Sequence, residues 1–524
     1  MLYRFGQCSV DTSRLELWRA GQRVALEPQV LAVLIHLIEN RDRVVSRDEL
    51  LRHVWGDRIV SDSALSVRVR MARAAVGDDG SAQSVIRTVQ RTGYRFVADV
   101  EASGSIALGD DLREAHADAT EAAHLPLPSE PSIVVLPFQP IGDPSQAGIL
   151  AQGMTTDVTT GIGRSGALFV IARGTAAQFG GEHDVHDIGR KLGVRYAVRG
   201  SVLAAGRRLR VSVALTEVES RRELWSERYD EQVDDAMQVQ QRIADLLVGS
   251  LQVAVERAEQ KRSLLLPSAN LDAWTAYHRG AAFMFRFRPD ECAHAERFFR
   301  RSIELDPLAP RAYAGLSFVH YQRVYMGMSH DRDEDALRAR DLALQGVAAD
   351  AFDPMAHWAL GRASLLRGEF EASIQELRRA TALNPSYAGA HYTLGWVYML
   401  KGERAQADEC IELARRLSPF DPLIFAMHIV GALNFALGGR TGEGAALAAS
   451  AILHPNAHLH VFFAAAVVYA LDGQRERARA LMGRVRAIAP GYDLADFLRV
   501  MQFRSPGDLD QLRRAFADLQ TRAA

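Results

Sequence analysis

Hydrophobic spacing divides the 524 residues into stretches of different period. In the first hundred, helical and alternating runs are mixed. Pro28 opens a segment in which Leu31, Leu34, Ile35 and Ile38 recur at helical spacing, the proline standing at a first-turn position where its missing N–H costs nothing. Ser46-Arg47-Asp48-Glu49 predicts a second helix, entered through a capping box in which serine and glutamate satisfy each other's backbone N–H, and reaching about Trp55. A third runs from Ser61 or Asp62 to Gly77. Leu65, Val69, Ala72 and Val76 form its apolar stripe, while Ser66, Arg70 and Arg73 form a polar one with Ser63 a turn earlier. The stretch VIRTVQRTGYRF, Val85 to Phe96, then reads as two alternating strands about a turn that Gly93 permits. Val89, Tyr94 and Phe96 would anchor this hairpin, leaving Arg87, Arg91 and Arg95 as its charged positions.

Farther on, IVVLPF (Ile133 to Phe138) is continuous enough for a buried strand, and Ile149 to Ile162 has the length of a helix. A strand at Leu168 to Ala172, a short helix at Asp187 to Leu192, the alternating segments YAVRGSVLAAG and RLRVSVALTEV, then ELWSERY, precede a helix from about Asp235 to Glu259. This β-α-β-α-β-β-β-α order predicts a compact α/β domain over residues 132–260. From Leu271 the pattern is helical only and repeats: Leu360, Gly361, Gly368, Ala380, Leu383 and Pro385 recur 34 residues later as Leu394, Gly395, Gly402, Ala414, Leu417 and Pro419. Small residues let paired helices approach and the proline closes each unit. With WALG at Trp358 to Gly361 and TLGWVY at Thr393 to Tyr398, the spacing resembles tetratricopeptide (TPR) repeats, about six over 271–490. Residues 491–524 are expected to hold a capping helix, Asp493 to Leu519, and a tail. The aromatic residues Trp358, Tyr392, Trp396 and Tyr398 would either pack between helices or line a peptide groove.

Composition bounds these readings. At 48% hydrophobic and 24% charged the chain is ordinary globular protein, and its length calls for roughly three or four domains. Cys8, Cys292 and Cys410 are far apart, which argues for a reducing compartment and against a disulfide or zinc framework. No signal peptide and no run of 18 apolar residues is found, so a cytoplasmic protein without membrane contact is expected. The net charge of −2 excludes general polyanion binding and confines any nucleic-acid site to a local patch. Arg68 to Arg95 holds such a patch, six arginines against Asp78 and Asp79. Residues 101–131, with seven acids against Arg113 alone, read as an acidic linker, either a tether or a competitor of DNA for that patch.

No catalytic constellation emerges. GIGRSG (residues 161–166) matches a dinucleotide fingerprint in letters, but a helix precedes it and a strand follows, so it is read as a helix-ending turn. None of Lys191, Lys261 and Lys401 is followed by Ser or Thr, which excludes the usual phosphate-binding loop. His183 with His186, and His454, His458 and His460, lack a third ligand at a metal-site spacing. No enzyme, cofactor or metal is therefore expected.

Two helices joined by a short turn, the second carrying Ser and Arg outward, followed by an arginine-bearing hairpin, is the layout of a winged helix-turn-helix. FGQCSVD with RLELWRAGQRVALEP, NRDRVVSRDELLRHVWGDR and IRTVQRTGYRF span residues 1–100 and resemble the OmpR/PhoB-type winged-helix DNA-binding domain of transcriptional regulators. The resemblance implies a four-stranded N-terminal sheet, a recognition helix over about 61–76 and a wing over 84–97. It places Ser63, Ser66, Arg68, Arg70, Arg73, Arg87 and Arg91 toward double-stranded DNA, with Arg95 either joining them or pairing with a carboxylate of its own domain. It also implies that the loop Gly56 to Val60 can contact RNA polymerase. No receiver domain or transmembrane helix is recognised, an arrangement more like HilA-type than CadC-type regulators, so the signal is expected to enter through the C-terminal domains. SIVVLPF, LFVIAR, IGRKLGVRYAVRGSV and LWSERYD resemble the TolB-like N-terminal α/β domain. The expected fold class is thus multi-domain α+β: winged helix-turn-helix, small α/β domain and all-α TPR solenoid. The expected function is promoter binding by two paired copies, with a protein or peptide partner in the TPR groove; the alternative is a TPR interaction scaffold whose N-terminal domain is not the working element.

Overall fold

The computed structural model describes residues 2–12, 16–20, 22–24, 28–55, 62–78, 82–89, 92–103, 131–142, 144–166, 168–179, 184–232, 236–268 and 271–520. The chain forms two compact units, Met1–Gln241 and Arg242–Ala524.

The first unit opens with β1 (Leu2–Phe5), β2 (Cys8–Asp11), β3 (Glu16–Arg19) and β4 (Gln22–Val24), then α1 (Pro28–Glu39), β5 (Val45–Ser46), α2 (Arg47–Trp55), α3 (Asp62–Val76), β6 (Ile86–Val89), β7 (Gly93–Phe96) and β8 (Glu101–Ser103). The N-terminal sheet has five strands, in the order β4-β3-β2-β1-β8, rather than the four expected. The fifth is the start of the stretch read as linker: Leu2 pairs with Ser103 and Arg4 with Glu101. Three residues of indifferent β-propensity acquire a strand from the open edge of β1, which local pattern cannot reveal. The remainder of the expected linker, 104–130, lies outside the described residues.

The α/β part contains β9 (Ser132–Val135), β10 (Gln139–Gly142), α4 (Pro144–Arg164), β11 (Phe169–Val170), α5 (Arg173–Ala176), α6 (Val185–Leu192), β12 (Tyr196–Ala205), β13 (Arg208–Glu217), β14 (Arg222–Gln232) and α7 (Ala236–Leu265), the last running on into the second unit. Its sheet order is β11-β9-β12-β13-β14, with β10 also on β12. The expected strand IVVLPF is a strand only as far as Val135, where β9 lies along Tyr196–Val198; a strand that was not expected, β10, follows it along Ser201–Ala204 of the same neighbour. Pro137 falls between them and offers no N–H to the ladder; Phe138 N bonds Thr155 Oγ1 of α4 instead, at 3.0 Å. α4 runs through GIGR and stops at Ser165-Gly166, as a helix-ending turn.

The second unit stacks helix pairs: α8 (Ala273–Met284) with α9 (Pro289–Leu305), α10 (Pro310–Tyr325) with α11 (Arg332–Ala349), α12 (Pro354–Leu366) with α13 (Phe370–Leu383), α14 (Ala388–Lys401) with α15 (Arg404–Leu417), α16 (Ile424–Leu437) with α17 (Thr441–Ile452), and α18 (Leu459–Leu471) with α19 (Arg475–Ile488). The glycines of the 34-residue repeat show why the spacing recurs. A methyl group on Gly361 would meet Leu377 Cγ at 2.7 Å, and one on Gly395 would meet Ile411 Cγ1 at 2.6 Å, so each pair closes on its glycine. Gly368 and Gly402 turn the chain in left-handed geometry, φ +76° and +85°. The first helices of the middle pairs, α12 and α14, are buried on all faces. Trp358, Tyr392, Trp396 and Tyr398 therefore pack inside; Trp358 Nε1 donates to Thr393 Oγ1 at 3.0 Å. Across the interior His460 Nε2 donates to Tyr325 O at 2.7 Å, joining the second pair to the sixth. The expected capping helix is two, α20 (Leu494–Met501) and α21 (Pro506–Gln520), because Gln502 takes a left-handed conformation at φ 56° and Pro506 starts a new helix.

Candidate nucleic-acid interface

α3 is seated by Leu65, Val69, Ala72 and Val76, all buried as its apolar stripe requires. Its C-terminus is fixed three ways. Gly77 turns at φ +74° so that Asp78 N reaches Arg73 O at 2.9 Å, Arg19 Nη1 donates to Ala74 O at 3.1 Å, and Cys8 Sγ donates to Val76 O at 3.6 Å. α1 lies beneath, with Leu31, Leu34 and Ile38 buried and Ile35 only half-buried.

α1 and α2 are clamped by charge. Ser46 Oγ accepts from Glu49 N at 3.1 Å, which is half of the expected capping box. The Glu49 carboxylate turns instead to Arg43, whose Nη1 lies 2.8 Å from Oε2, and to His36 Nε2 at 3.1 Å. Hydrogen bonding from Arg43, with a smaller one from His36, holds the Glu49 carboxyl down at about 2. Its folded value lies below the ordinary 4.5. The stabilisation is therefore full above that pH and is lost as pH falls toward about 2. Heat denaturation of Glu49→Gln should accordingly show a smaller drop across that acid window than the parent chain. Arg43 is half exposed, so the difference will be modest.

The wing is β6 and β7, which with β5 form a three-stranded sheet in the order β5-β7-β6. Its inner face is Ile86, Tyr94 and Phe96, all buried, with Phe96 edge-on to Phe5 of β1 at 5.0 Å. Gly93 does not serve the turn as expected. It sits in β7 opposite Ser46, where a methyl group would lie 2.0 Å from Val45 O, so its role is to let two backbones touch. The hinge from α3 to the wing is the buried Asp78. Its carboxylate accepts from Ser84 N (2.8 Å), Ser84 Oγ (3.0 Å), Val85 N (3.1 Å) and Ile86 N (2.8 Å).

The eight expected DNA-facing residues divide. Arg87 stands directly opposite Arg95 in the wing, and both are exposed. Ser66 and Arg70 are half-buried on α3. Arg73 faces inward, which corrects its expected position: Nε donates to Ile86 O at 2.9 Å and Nη2 to Thr88 Oγ1 at 2.8 Å. Burial pushes the Arg73 guanidinium below its ordinary range, opposed by the Asp78 carboxylate. Arg68 is also turned in, 3% exposed, with Nη1 3.5 Å from Met71 Sδ and its guanidinium over the Phe169 ring. A stripe drawn at i, i+4 and i+7 assigns a face but cannot tell a long side chain that folds back under the wing from one that points away. Among the described residues Arg95 meets no carboxylate; it reaches the carbonyls of Arg41 and Asp42, each at 3.4 Å. The side chain of Ser63, the whole of Arg91 and the loop Gly56 to Val60 lie outside the described residues. One cation was not singled out, Arg47 at the head of α2, half-buried and 5.8 Å from the Tyr94 ring centre.

Residues 21–96 match the family described as transcriptional regulatory protein, C terminal. The N-terminal domain is a winged helix of the OmpR/PhoB type. Residues 361–402 and 388–421 match tetratricopeptide-repeat families, so the C-terminal repeats are TPR repeats. Among curated proteins, "Putative adenylate cyclase 3" of Rhizobium meliloti (strain 1021) is 30% identical over 52% of this chain and 47% of its own length. The transcriptional regulator HilA of Salmonella typhi is 22% identical over 77% of this chain and 68% of its own. The transcriptional regulatory protein AfsQ1 of Streptomyces coelicolor is 36% identical over 18% and 41%. The chain thus spans about half the length of the first of these relatives. Among the described residues no helix is long and apolar enough to cross a membrane, and no group of three or more His, Cys, Asp and Glu side chains converges as a metal site. His186 is occupied in packing, its Nδ1 donating to Val218 O at 2.9 Å.

Proposed function

We propose that the chain is a cytoplasmic, non-enzymatic transcriptional regulator that reads promoter DNA with α3 and grips the flanking phosphates with its wing. The observation that carries this is the pair Arg87 and Arg95. Like charges directly opposite each other on adjacent strands are destabilising; the carbonyls of Arg41 and Asp42 offset part of this at Arg95, and an anion over the two exposed guanidinium groups would offset the rest. Phosphate is such an anion, and the Ser66 and Arg70 positions of α3 would then enter the major groove, where arginine reads guanine. Ser63 and Arg91 belong to the same proposed set; Arg68 and Arg73 are left out of it because both are buried. Pairing of two copies on repeated half-sites, an RNA polymerase contact through Gly56 to Val60, and a protein signal received by the TPR repeats complete the reading. The TolB resemblance of the α/β domain stays with it as a likeness of fold, without a ligand.

The test is binding of the full chain to fragments selected from genomic DNA. Sequence-selective binding that weakens with added salt is expected, and Arg87→Ala with Arg95→Ala should lower the salt slope by about two while weakening all sequences alike. Arg70→Ala should instead cost about 1–3 kcal/mol at one base position. Equal affinity for selected and random DNA, or a salt slope untouched by the wing substitutions, would overturn the proposal.

A further inference from the structure

The segment that follows α20 packs across the repeats, with Met501, Phe503 and Leu512 in their core. Residues 501–511 cross the ends of three successive first helices, where backbone carbonyls are left without intrahelical partners. Gln502 Nε2 donates to Leu366 O at 3.0 Å at the end of α12, Arg504 N donates to Leu400 O at 2.9 Å at the end of α14, and Gln511 Nε2 donates to Leu437 O at 3.3 Å at the end of α16. One segment thus supplies a donor to each of three helix C-termini.

Side chains set its register. Met501 is buried against a cleft formed by Tyr321, Tyr325 and Trp396, leaving a void of about 10 Å³. Within this interior Arg362 is 4% exposed, ringed by Phe318, Tyr321, Trp358 and Trp396 at 4.4 to 5.5 Å, and among the described residues no carboxylate pairs with it. The Arg504 guanidinium lies over the Phe370 ring at 4.9 Å, and the buried Asp508 carboxylate pairs with Arg404. The turn glycines leave room: a methyl group on Gly368 would come 2.9 Å from Gln502 Oε1, and one on Gly402 would come 3.0 Å from Ser505 Cβ.

We propose that this surface is the docking site of the repeats for a partner segment of the same chemistry, and that residues 501–511 are an internal ligand holding it closed. The partner is a peptide that places an apolar side chain in the aromatic cleft, a side-chain amide on the last carbonyl of α12, a backbone N–H on that of α14, a guanidinium over the Phe370 ring, and a carboxylate seven residues after the apolar side chain against Arg404. This deepens the reading of the repeats as the protein's input module.

A tethered segment competes at millimolar effective concentration, so a free ligand binds weakly until the tether is loosened. The probe is a labelled synthetic peptide of residues 498–512, added to the full chain and followed by fluorescence anisotropy without DNA, so that its outcome is separate from that of promoter binding. Asp508→Arg should tighten peptide binding at least ten-fold over the parent chain, and a peptide carrying that same change should not bind. The double change Arg404→Asp with Asp508→Arg should return affinity toward the parent value. If circular dichroism shows Asp508→Arg unfolded, Arg504→Ala decides, with the same direction expected. No tightening in a folded variant overturns the proposal. So does a dimer that appears on loosening, which would give the surface to a second copy.

Discussion

Gly93→Ala should unseat the wing and remove DNA binding, at a cost of about 2–4 kcal/mol to the N-terminal domain. The added methyl group would stand 2.0 Å from Val45 O and 2.9 Å from Ser46 Cα, and both are backbone atoms that no rotamer change can clear. β5 must therefore separate from β7. Ser46 moves with β5 and carries the N-terminal cap of α2, so the disturbance reaches the helix that supports α3. Gly6→Ala provides the contrast. It has a left-handed φ of +52° but open space around it, so only the backbone strain of about 1 kcal/mol applies. Hydrogen exchange of peptides covering residues 86–96 distinguishes the cases: protection should fall steeply for Gly93→Ala and hardly at all for Gly6→Ala. Equal protection in both would mean that the β5–β7 approach is not what holds the wing.

Asp78→Ala should have a comparable effect by a different route. Three backbone N–H groups and one hydroxyl end on this carboxylate. Removing it strands those donors in a site where the aspartate is only 5% exposed, at a cost of about 3–5 kcal/mol. It also removes the charge facing Arg73, whose buried guanidinium crosses from α3 to the wing. Asp78→Asn keeps the shape and one acceptor oxygen but turns an NH2 group toward the other pair of donors, so it should lose part of the same stability. The readout is exchange at Ser84 to Thr88 together with promoter affinity; unchanged protection in the alanine variant would contradict the hinge role.

Legibility in the sequence follows the range of each interaction. The apolar stripe of α3 and the 34-residue register of the repeats depend on neighbours a turn or one repeat away, and both are written in local spacing. β8 depends on an edge nearly a hundred residues earlier, and β10 on a neighbour strand, β12, that comes after it in the chain, so neither has a local mark. For the candidate interface, spacing supplied the helix and the hairpin but not the fate of each guanidinium. Arg70 and Arg73 differ by less than one turn, yet the first is half-buried and the second is buried on a carbonyl of the wing. Asp78 was counted as a charge opposing the basic patch, whereas its charge is spent on backbone donors. The segment Asp-Asp-Gly-Ser after Gly77, rich in turn formers that bond their own backbone, was the signal available for it.

An open array of repeats unfolds piecemeal, because each unit touches only its neighbours. The bond from His460 to Tyr325 O closes a loop of 135 residues and makes the second and sixth pairs mutual neighbours. Such a closure opposes fraying of the repeats between those two pairs from either end. It also folds late, since the entropy of bringing the two pairs together is spent before the contact repays it. The repeats are consequently expected to unfold with more cooperativity than an open array, and His460→Ala should broaden their thermal transition.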